Sequence, residues 1–202
     1  MNVSATQPLA QMQHHEGTRI PGEGGVWLFI FGDLLVFSLF FATFLFYRAE
    51  NAALFDQSQA ALNETYGVFN TALMLSSSWF VAMGISAVRR NSVRIPVALF
   101  SLAFLCGAGF GVVKFLEYGE KISQGINLTS NDFYMFYFLF TGIHFIHVLI
   151  GMGVLVFMIH YCRARPQGYS ANDVRNMESG GCFWHVVDLL WIVLFALLYL
   201  VK

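Results

Sequence analysis

The stretch CFWHVVDLLWIVLFALLYLVK, Cys182–Lys202, decides the fold class of this chain. An apolar run of about 20 residues is long enough to cross the hydrocarbon core of a bilayer. This run carries His185 and Asp188 three residues apart, between Trp184 and Trp191. An ionisable side chain inside a membrane span costs roughly 2.5–3.5 kcal/mol, and such side chains are usually paired in the interior of a bundle. We therefore expect a transmembrane helix whose polar side faces other helices.

The composition of the whole chain supports a membrane protein. Of the 202 residues, 57% are hydrophobic and only 11% are charged, against about 25% charged in a soluble domain, and the mean hydropathy is +0.61. The net charge of −1 gives no indication of nucleic-acid binding. Three cysteines without paired spacing predict neither a disulfide framework nor a zinc site. The polar first 20 residues predict no cleavable signal peptide.

Apolar runs long enough to span a membrane occur five times. They predict an all-α fold, an integral membrane bundle of five transmembrane helices at residues 26–202, preceded by a polar amino-terminal tail at residues 1–25. No run shows the ten-residue alternation of a membrane barrel. The predicted spans are residues 26–47, 66–88, 96–115, 133–159 and 182–201.

The distribution of basic residues in the connections predicts the orientation, because short cytoplasmic loops carry more Lys and Arg. Seven basic residues fall on one side and four on the other. The amino terminus is therefore predicted to be cytoplasmic and the carboxyl terminus periplasmic. The seven are Arg19, Arg89, Arg90, Arg94, Arg163, Arg165 and Arg175, and the four are Arg48, Lys114, Lys121 and Lys202.

Asp33 is an acid about seven residues into the first span, roughly 10 Å deep at about 1.5 Å per residue. Its short side chain cannot reach the interface, so it should face the bundle and pair with another group. A helix–helix hydrogen bond is favoured over a proton-handling role or a lipid-headgroup contact. By depth, either His147 or His185 can be the partner, and we predict that one of them is.

His144 and His147 stand three residues apart and face one side of the fourth span. Histidine is the commonest metal ligand, so these two and His185 could in principle hold a metal or a haem. No set of three or four histidines converges in the sequence, and structural histidines are the favoured interpretation.

Further polar residues lie near the ends of the spans. Trp184, Asp188 and Trp191 share a helix face, so the indoles could donate to the carboxylate or to a lipid phosphate. The arginines of the predicted inner loops, Arg89 and Arg90, could receive anionic headgroups. Glu117 follows Lys114 by one turn and is expected to form an interfacial ion pair of little energetic value, or to contact lipid or a partner.

Five segments, taken in order, resemble subunit III of the haem–copper oxidase superfamily over residues 22–202. The paired motifs His-x-x-His-Val and Trp-His-x-x-Asp-x-x-Trp carry most of the resemblance. Five spans resemble the short branch, which includes subunit III of quinol oxidases and the NorE protein associated with nitric oxide reductase; the opening Pro-Gly-Glu-Gly-Gly-Val-Trp is closer to NorE. The segments are GDLLVFSLFFATFLF (Gly32–Phe46), FNTALMLSSS (Phe69–Ser78), FLEYGEKISQG (Phe115–Gly125), TGIHFIHVLIG (Thr141–Gly151) and FWHVVDLLW (Phe183–Trp191).

The resemblance implies a non-catalytic integral subunit or accessory protein of a haem–copper oxidase or nitric oxide reductase in a bacterial inner membrane. It implies no cofactor in this chain, haem and metal in the catalytic partner, and phospholipid held in a cleft between the first two helices and the last three. Many members of the family carry Glu where this chain has Asp33. The polar set carried over comprises Asp33, Glu117, His144, His147, His185 and Asp188.

Two functions from other classes stay open at this stage. An independent b-type cytochrome or membrane enzyme would use His144, His147 and His185 as ligands. A small transporter is less favoured, because no pair of broken spans occurs in two matching halves. The sequence decides neither between an oxidase and a nitric oxide reductase as partner nor between quinol and cytochrome c as electron donor.

Overall fold

The computed structural model describes residues 24–201, which form helices joined by short connections and contain no strand. Five of these helices are long and apolar enough to cross a membrane, so the predicted all-α five-span bundle is confirmed. All but the last two residues of the predicted polar tail lie outside the described residues. The helices are α1 (Gly24–Glu50), α2 (Ala52–Ala60), α3 (Glu64–Arg89), α4 (Ile95–Ser123), α5 (Asp132–Arg163) and α6 (Ala171–Phe195).

The helices extend beyond the predicted spans, because polar residues continue a helix after its apolar run has ended. Helix α4 continues past the predicted end at Phe115 as far as Ser123. Helix α6 starts at Ala171, well before the predicted Cys182, where Ser170 and Asp173 form a capping box. It ends in a π-helical turn, Ala196–Leu200. The short helix α2 lies between the first two predicted spans, where the sequence predicted no helix.

Helices α3, α4, α5 and α6 form a four-helix bundle in which α3 and α4 have the most extensive contact. Helix α1 lies outside this bundle and packs along α5 and α6, while α2 lies against α5. The expected division into the first two spans and the last three is therefore wrong. The second span, α3, packs with the helices that follow it, because a short connection places α4 directly beside it.

Two apolar cores hold this arrangement. One lies within the four-helix bundle around Trp184, Trp191 and Phe110. The other joins α1 and α2 to α5 and α6 and is largely aromatic, with Phe44 and Phe140 near its centre. The connections α3–α4 and α5–α6 lie at one end of the molecule, named here the arginine end, and the connections α2–α3 and α4–α5 lie at the other.

Candidate functional site

Asp33 and His147 form a hydrogen-bonded pair that links α1 to α5. The His147 Nε2 atom lies 3.0 Å from Asp33 Oδ1, and the side chains are 14% and 12% exposed. The prediction that Asp33 pairs with one of two histidines is confirmed, and the partner is His147. Phe37, one turn along α1 from Asp33, sets its ring edge-on to the imidazole at 5.6 Å, which leaves the pair in apolar surroundings.

The second nitrogen of His147 fixes how this pair holds a proton. His147 Nδ1 lies 2.9 Å from the carbonyl oxygen of Ile143. A carbonyl only accepts, so Nδ1 must donate, and Nε2 of a neutral ring is then an acceptor. The contact with Asp33 therefore needs one more proton, carried either by the carboxyl group or by Nε2.

We expect Asp33→Ala to destabilise the bundle by about 1–3 kcal/mol, because the substitution leaves His147 buried without its partner. Asp33→Asn should cost less, since its amide can donate to a neutral Nε2. The measurement is the thermal unfolding of the two variants in mild detergent. Equal losses of stability in Asp33→Ala and Asp33→Asn would contradict this account of the pair.

Lys114, Glu117 and Tyr199 form a second polar cluster, which lies inside the bundle. Lys114 Nζ donates to Glu117 Oε2 at 2.8 Å and to the Tyr199 hydroxyl at 3.1 Å, and that hydroxyl donates to Glu117 Oε1 at 2.5 Å. Lys114 is 2% exposed and Glu117 is fully buried. The predicted ion pair therefore forms, but its expected interfacial position is wrong, because α4 continues past it and Tyr199 covers it.

Four aromatic rings surround the Lys114 ammonium group. Its Nζ atom lies 4.9 Å from the ring centroid of Trp191, 5.1 Å from Tyr137, 5.6 Å from Tyr199 and 5.8 Å from Tyr118. Cation–π attraction at this range contributes more in a desolvated site than at a surface. The rings thus offset part of the cost of keeping the charge away from water.

The three histidines of the predicted polar set face different neighbours. His144 is fully buried between Phe110 and Trp191, at ring distances of 5.7 and 5.4 Å. His147 contacts Asp33, and His185 Nδ1 lies 2.6 Å from Ser78 Oγ on α3. The three imidazoles do not converge, and no group of three His, Cys, Asp or Glu suited to a metal occurs in the described part of the chain.

Asp188 and the two tryptophans also face the interior. Asp188 is 6% exposed, and its Oδ1 has no hydrogen-bond partner within residues 24–201. Trp191 Nε1 donates to Thr71 Oγ1 at 3.1 Å instead of to a carboxylate. Trp184 is 1% exposed. Because both indoles lie between helices, their placement does not favour the predicted contact with phospholipid.

Arg89 and Arg90 lie at the arginine end, where α3 ends. Arg89 is paired with Glu178 of α6: its Nε and Nη2 atoms lie 2.9 and 2.8 Å from Glu178 Oε1. Arg90 is exposed beside it. The sequence does not predict that Ser78, Thr71 and Tyr199 are partners of the polar set, because a hydroxyl group in an apolar run carries no signal of which helix it faces.

Comparison with known proteins matches residues 9–202 to the family of cytochrome c oxidase subunit III. Cytochrome c oxidase subunit 3 of a Synechocystis strain is 28% identical over 210 residues, covering 98% of this chain and 88% of the relative. Quinol oxidase subunit 3 of Bacillus subtilis is 27% identical, covering 87% and 85%. The cytochrome bo(3) ubiquinol oxidase subunit 3 of Pseudomonas aeruginosa is 25% identical, covering 87% and 83%.

Proposed function

Because this chain belongs to the cytochrome c oxidase subunit III family and is thus a subunit of a haem–copper oxidase complex, we propose that it stabilises the catalytic subunit without doing chemistry itself. Haem and metal are then carried by the catalytic partner, in a bacterial inner membrane. The relatives named above are oxidase subunits, so we propose that the complex reduces oxygen, and nitric oxide reduction is the alternative activity that the test must decide.

The two sides of α1 carry this proposal. Ile30, Phe37 and Phe44, spaced by seven residues, are buried against the rest of the chain. The other side exposes large apolar side chains, among them Leu28 at 79% and Leu35 at 70%. A helix held by one narrow seam at the edge of a bundle has room for a further helix on its open side. The catalytic subunit, with its many spans, can supply that cover.

Affinity purification of the tagged chain in mild detergent tests the proposal. We expect a larger, many-span subunit to co-purify and to show a haem spectrum in the visible region. The preparation should consume oxygen and should not reduce nitric oxide. Nitric oxide reduction by the same preparation would assign the alternative partner. A stable, solitary chain recovered after gentle extraction would count against either assembly.

We further propose that the chain binds a phospholipid acyl chain in a groove between α1, α5 and α6. The groove has a volume of about 430 Å³ and is lined mostly by apolar side chains, including Val26, Phe29, Val154 and Phe183. Its polar lining residues, Asn176 and Ser179, lie in the first half of α6, toward the arginine end, which we propose faces the cytoplasm. Basic residues at that end would attract an anionic headgroup.

Filling the groove tests this lipid site. Val26→Trp places a large ring in the groove, and we expect native mass spectrometry of the complex to show one fewer retained phospholipid. Val112→Trp is the matched control, because Val112 is 59% exposed on α4 and does not line the groove. Equal retention of phospholipid in the two variants would remove the groove as the site.

A further inference from the structure

Three side chains of the four-helix bundle are 0% exposed and carry polar atoms that have no hydrogen-bond partner in the described part of the chain. They are Asn70 on α3, and Tyr137 and His144 on α5. The atoms concerned are both amide atoms of Asn70, the Tyr137 hydroxyl and both ring nitrogens of His144. Trp184 Nε1 and Asp188 Oδ1, on side chains that are 1% and 6% exposed, also lack a partner there. Buried polar atoms in folded proteins nearly always have a partner, and where protein offers none an ordered water supplies it.

Two of these side chains lie beside the cluster of Lys114, Glu117 and Tyr199: the Tyr137 ring centroid is 5.1 Å from Lys114 Nζ, and the Trp191 ring lies near both His144 and Lys114. Trp191 connects them, since its ring lies 5.4 Å from His144 and 4.9 Å from Lys114 Nζ. Its Nε1 donates to Thr71, the residue that follows Asn70 on α3. The polar atoms of all four helices thus occupy one region of the core.

The Lys114 ammonium group has capacity for a further acceptor. It carries three N–H bonds, and two of them are directed at Glu117 and Tyr199. The Tyr137 hydroxyl lies within the range of a weak side-chain hydrogen bond to Glu117 and to Tyr199, but with neither does it reach the geometry of a full hydrogen bond. A group that accepts from Lys114 and also bonds Tyr137 would satisfy both.

A small cavity adjoins Lys114. Its volume is about 20 Å³, and it is lined by Lys114, Phe115, Tyr118 and Phe145. A cavity needs about 10–15 Å³ to hold one water molecule. The space, which Lys114 lines with its methylene groups, is therefore of the size of a single water and too small for an organic ligand.

We propose that this region of the core binds internal water molecules that join His144, Tyr137 and Asn70 to the Lys114–Glu117 pair. The unpartnered atoms include donors and acceptors in nearly equal number, which suits water because it does both. An ion is not favoured, since the charges of Lys114 and Glu117 already balance. Such waters would bridge polar side chains in the middle of α5 and the buried carboxylate of α4, in surroundings that are otherwise apolar.

Two tyrosines on α5 provide a matched test in the intact oxidase complex. Tyr137→Phe removes an unpartnered hydroxyl, whereas Tyr134→Phe, one turn away, removes a hydroxyl that already donates to the carbonyl oxygen of Ser58. Infrared bands of buried water are identified by their shift in ¹⁸O-labelled water. We expect Tyr137→Phe to lose at least one such band and Tyr134→Phe to keep them all.

Cryo-electron microscopy of the same complex, at a resolution that shows ordered water, provides the second measurement. We expect density about 3 Å from Lys114 Nζ and from the Tyr137 hydroxyl. A map in which these atoms contact only protein, or identical water bands in the two tyrosine variants, would overturn the proposal. Because both measurements are made on the assembled complex, a variant that fails to fold is recognised by its failure to assemble. In that case His144→Phe is the second substitution to test.

Discussion

Lys114→Met is expected to destabilise the bundle by about 3–5 kcal/mol, because it leaves the Glu117 carboxylate buried without its counter-charge. Glu117→Gln should cost a similar amount for the opposite reason, since the ammonium group would lose its carboxylate. The double variant Lys114→Met/Glu117→Gln should recover much of the loss, because no isolated charge is then buried. The three variants thus distinguish the net contribution of the ion pair to stability from the loss of stability when one buried charge is left without its partner.

The stability of these variants can be followed through Cys162, which is fully buried. In a background where Cys106 and Cys182 are replaced by serine, a thiol-reactive dye labels Cys162 only when the bundle opens. Lys121→Met is the control: Lys121 is buried on the same helix but donates to the carbonyl oxygen of Ala61, so its loss leaves no charge behind. A double variant as unstable as the sum of both single variants would show that the pair is not coupled.

Gly151→Leu is expected to destabilise the bundle by 3 kcal/mol or more, at about the upper end of the range for overpacking. A Cβ at this position would lie 2.7 and 2.8 Å from two ring atoms of Trp184. The same ring also packs closely against Gly107 of α4, where a built Cβ would lie 3.0 Å from the neighbouring ring atom, so the indole is held by two helices. The glycine is therefore required by the close approach of α5 and α6.

Gly153→Leu is the matched control on the same helix. Nothing lies within 4 Å of a Cβ built on Gly153, and the position faces outward. The same dye assay should show little change for this variant. If Gly153→Leu opened the bundle as readily as Gly151→Leu, the loss would reflect leucine in α5 in general and not the contact with Trp184.

The pairing of Asp33 shows how far sequence reasoning reached into the site. A carboxyl group in a membrane span must be paired, so its partnership with a histidine could be predicted from composition and depth alone. The choice between His147 and His185 could not, because depth along the membrane normal says nothing about the rotation of a helix about its axis. In the structure His185 contacts Ser78, and His147 is the histidine that pairs with Asp33.

The buried position of Lys114 and Glu117 shows the opposite case. The apolar run of the third span ends at Phe115, so the sequence placed this pair at the membrane surface. The helix continues to Ser123, and Tyr199, distant in sequence, closes over the pair. The burial of Lys114 and Glu117 therefore depends on a tertiary contact between α4 and Tyr199, which the sequence does not reveal.

The sequence by itself determined five membrane-spanning helices and an all-α class. The length and hydropathy of each segment are local properties, and they decide whether that segment can span a bilayer without reference to its neighbours. The tertiary structure alone decided which helices are neighbours, that Trp184 and Trp191 face inward, and that α1 stands outside the bundle of four. The physical reason is that these helices are apolar on nearly every side, so the hydrophobic pattern does not mark a buried face. Close packing of small and aromatic side chains, and the few hydrogen bonds between spans, set the rotation of each helix instead.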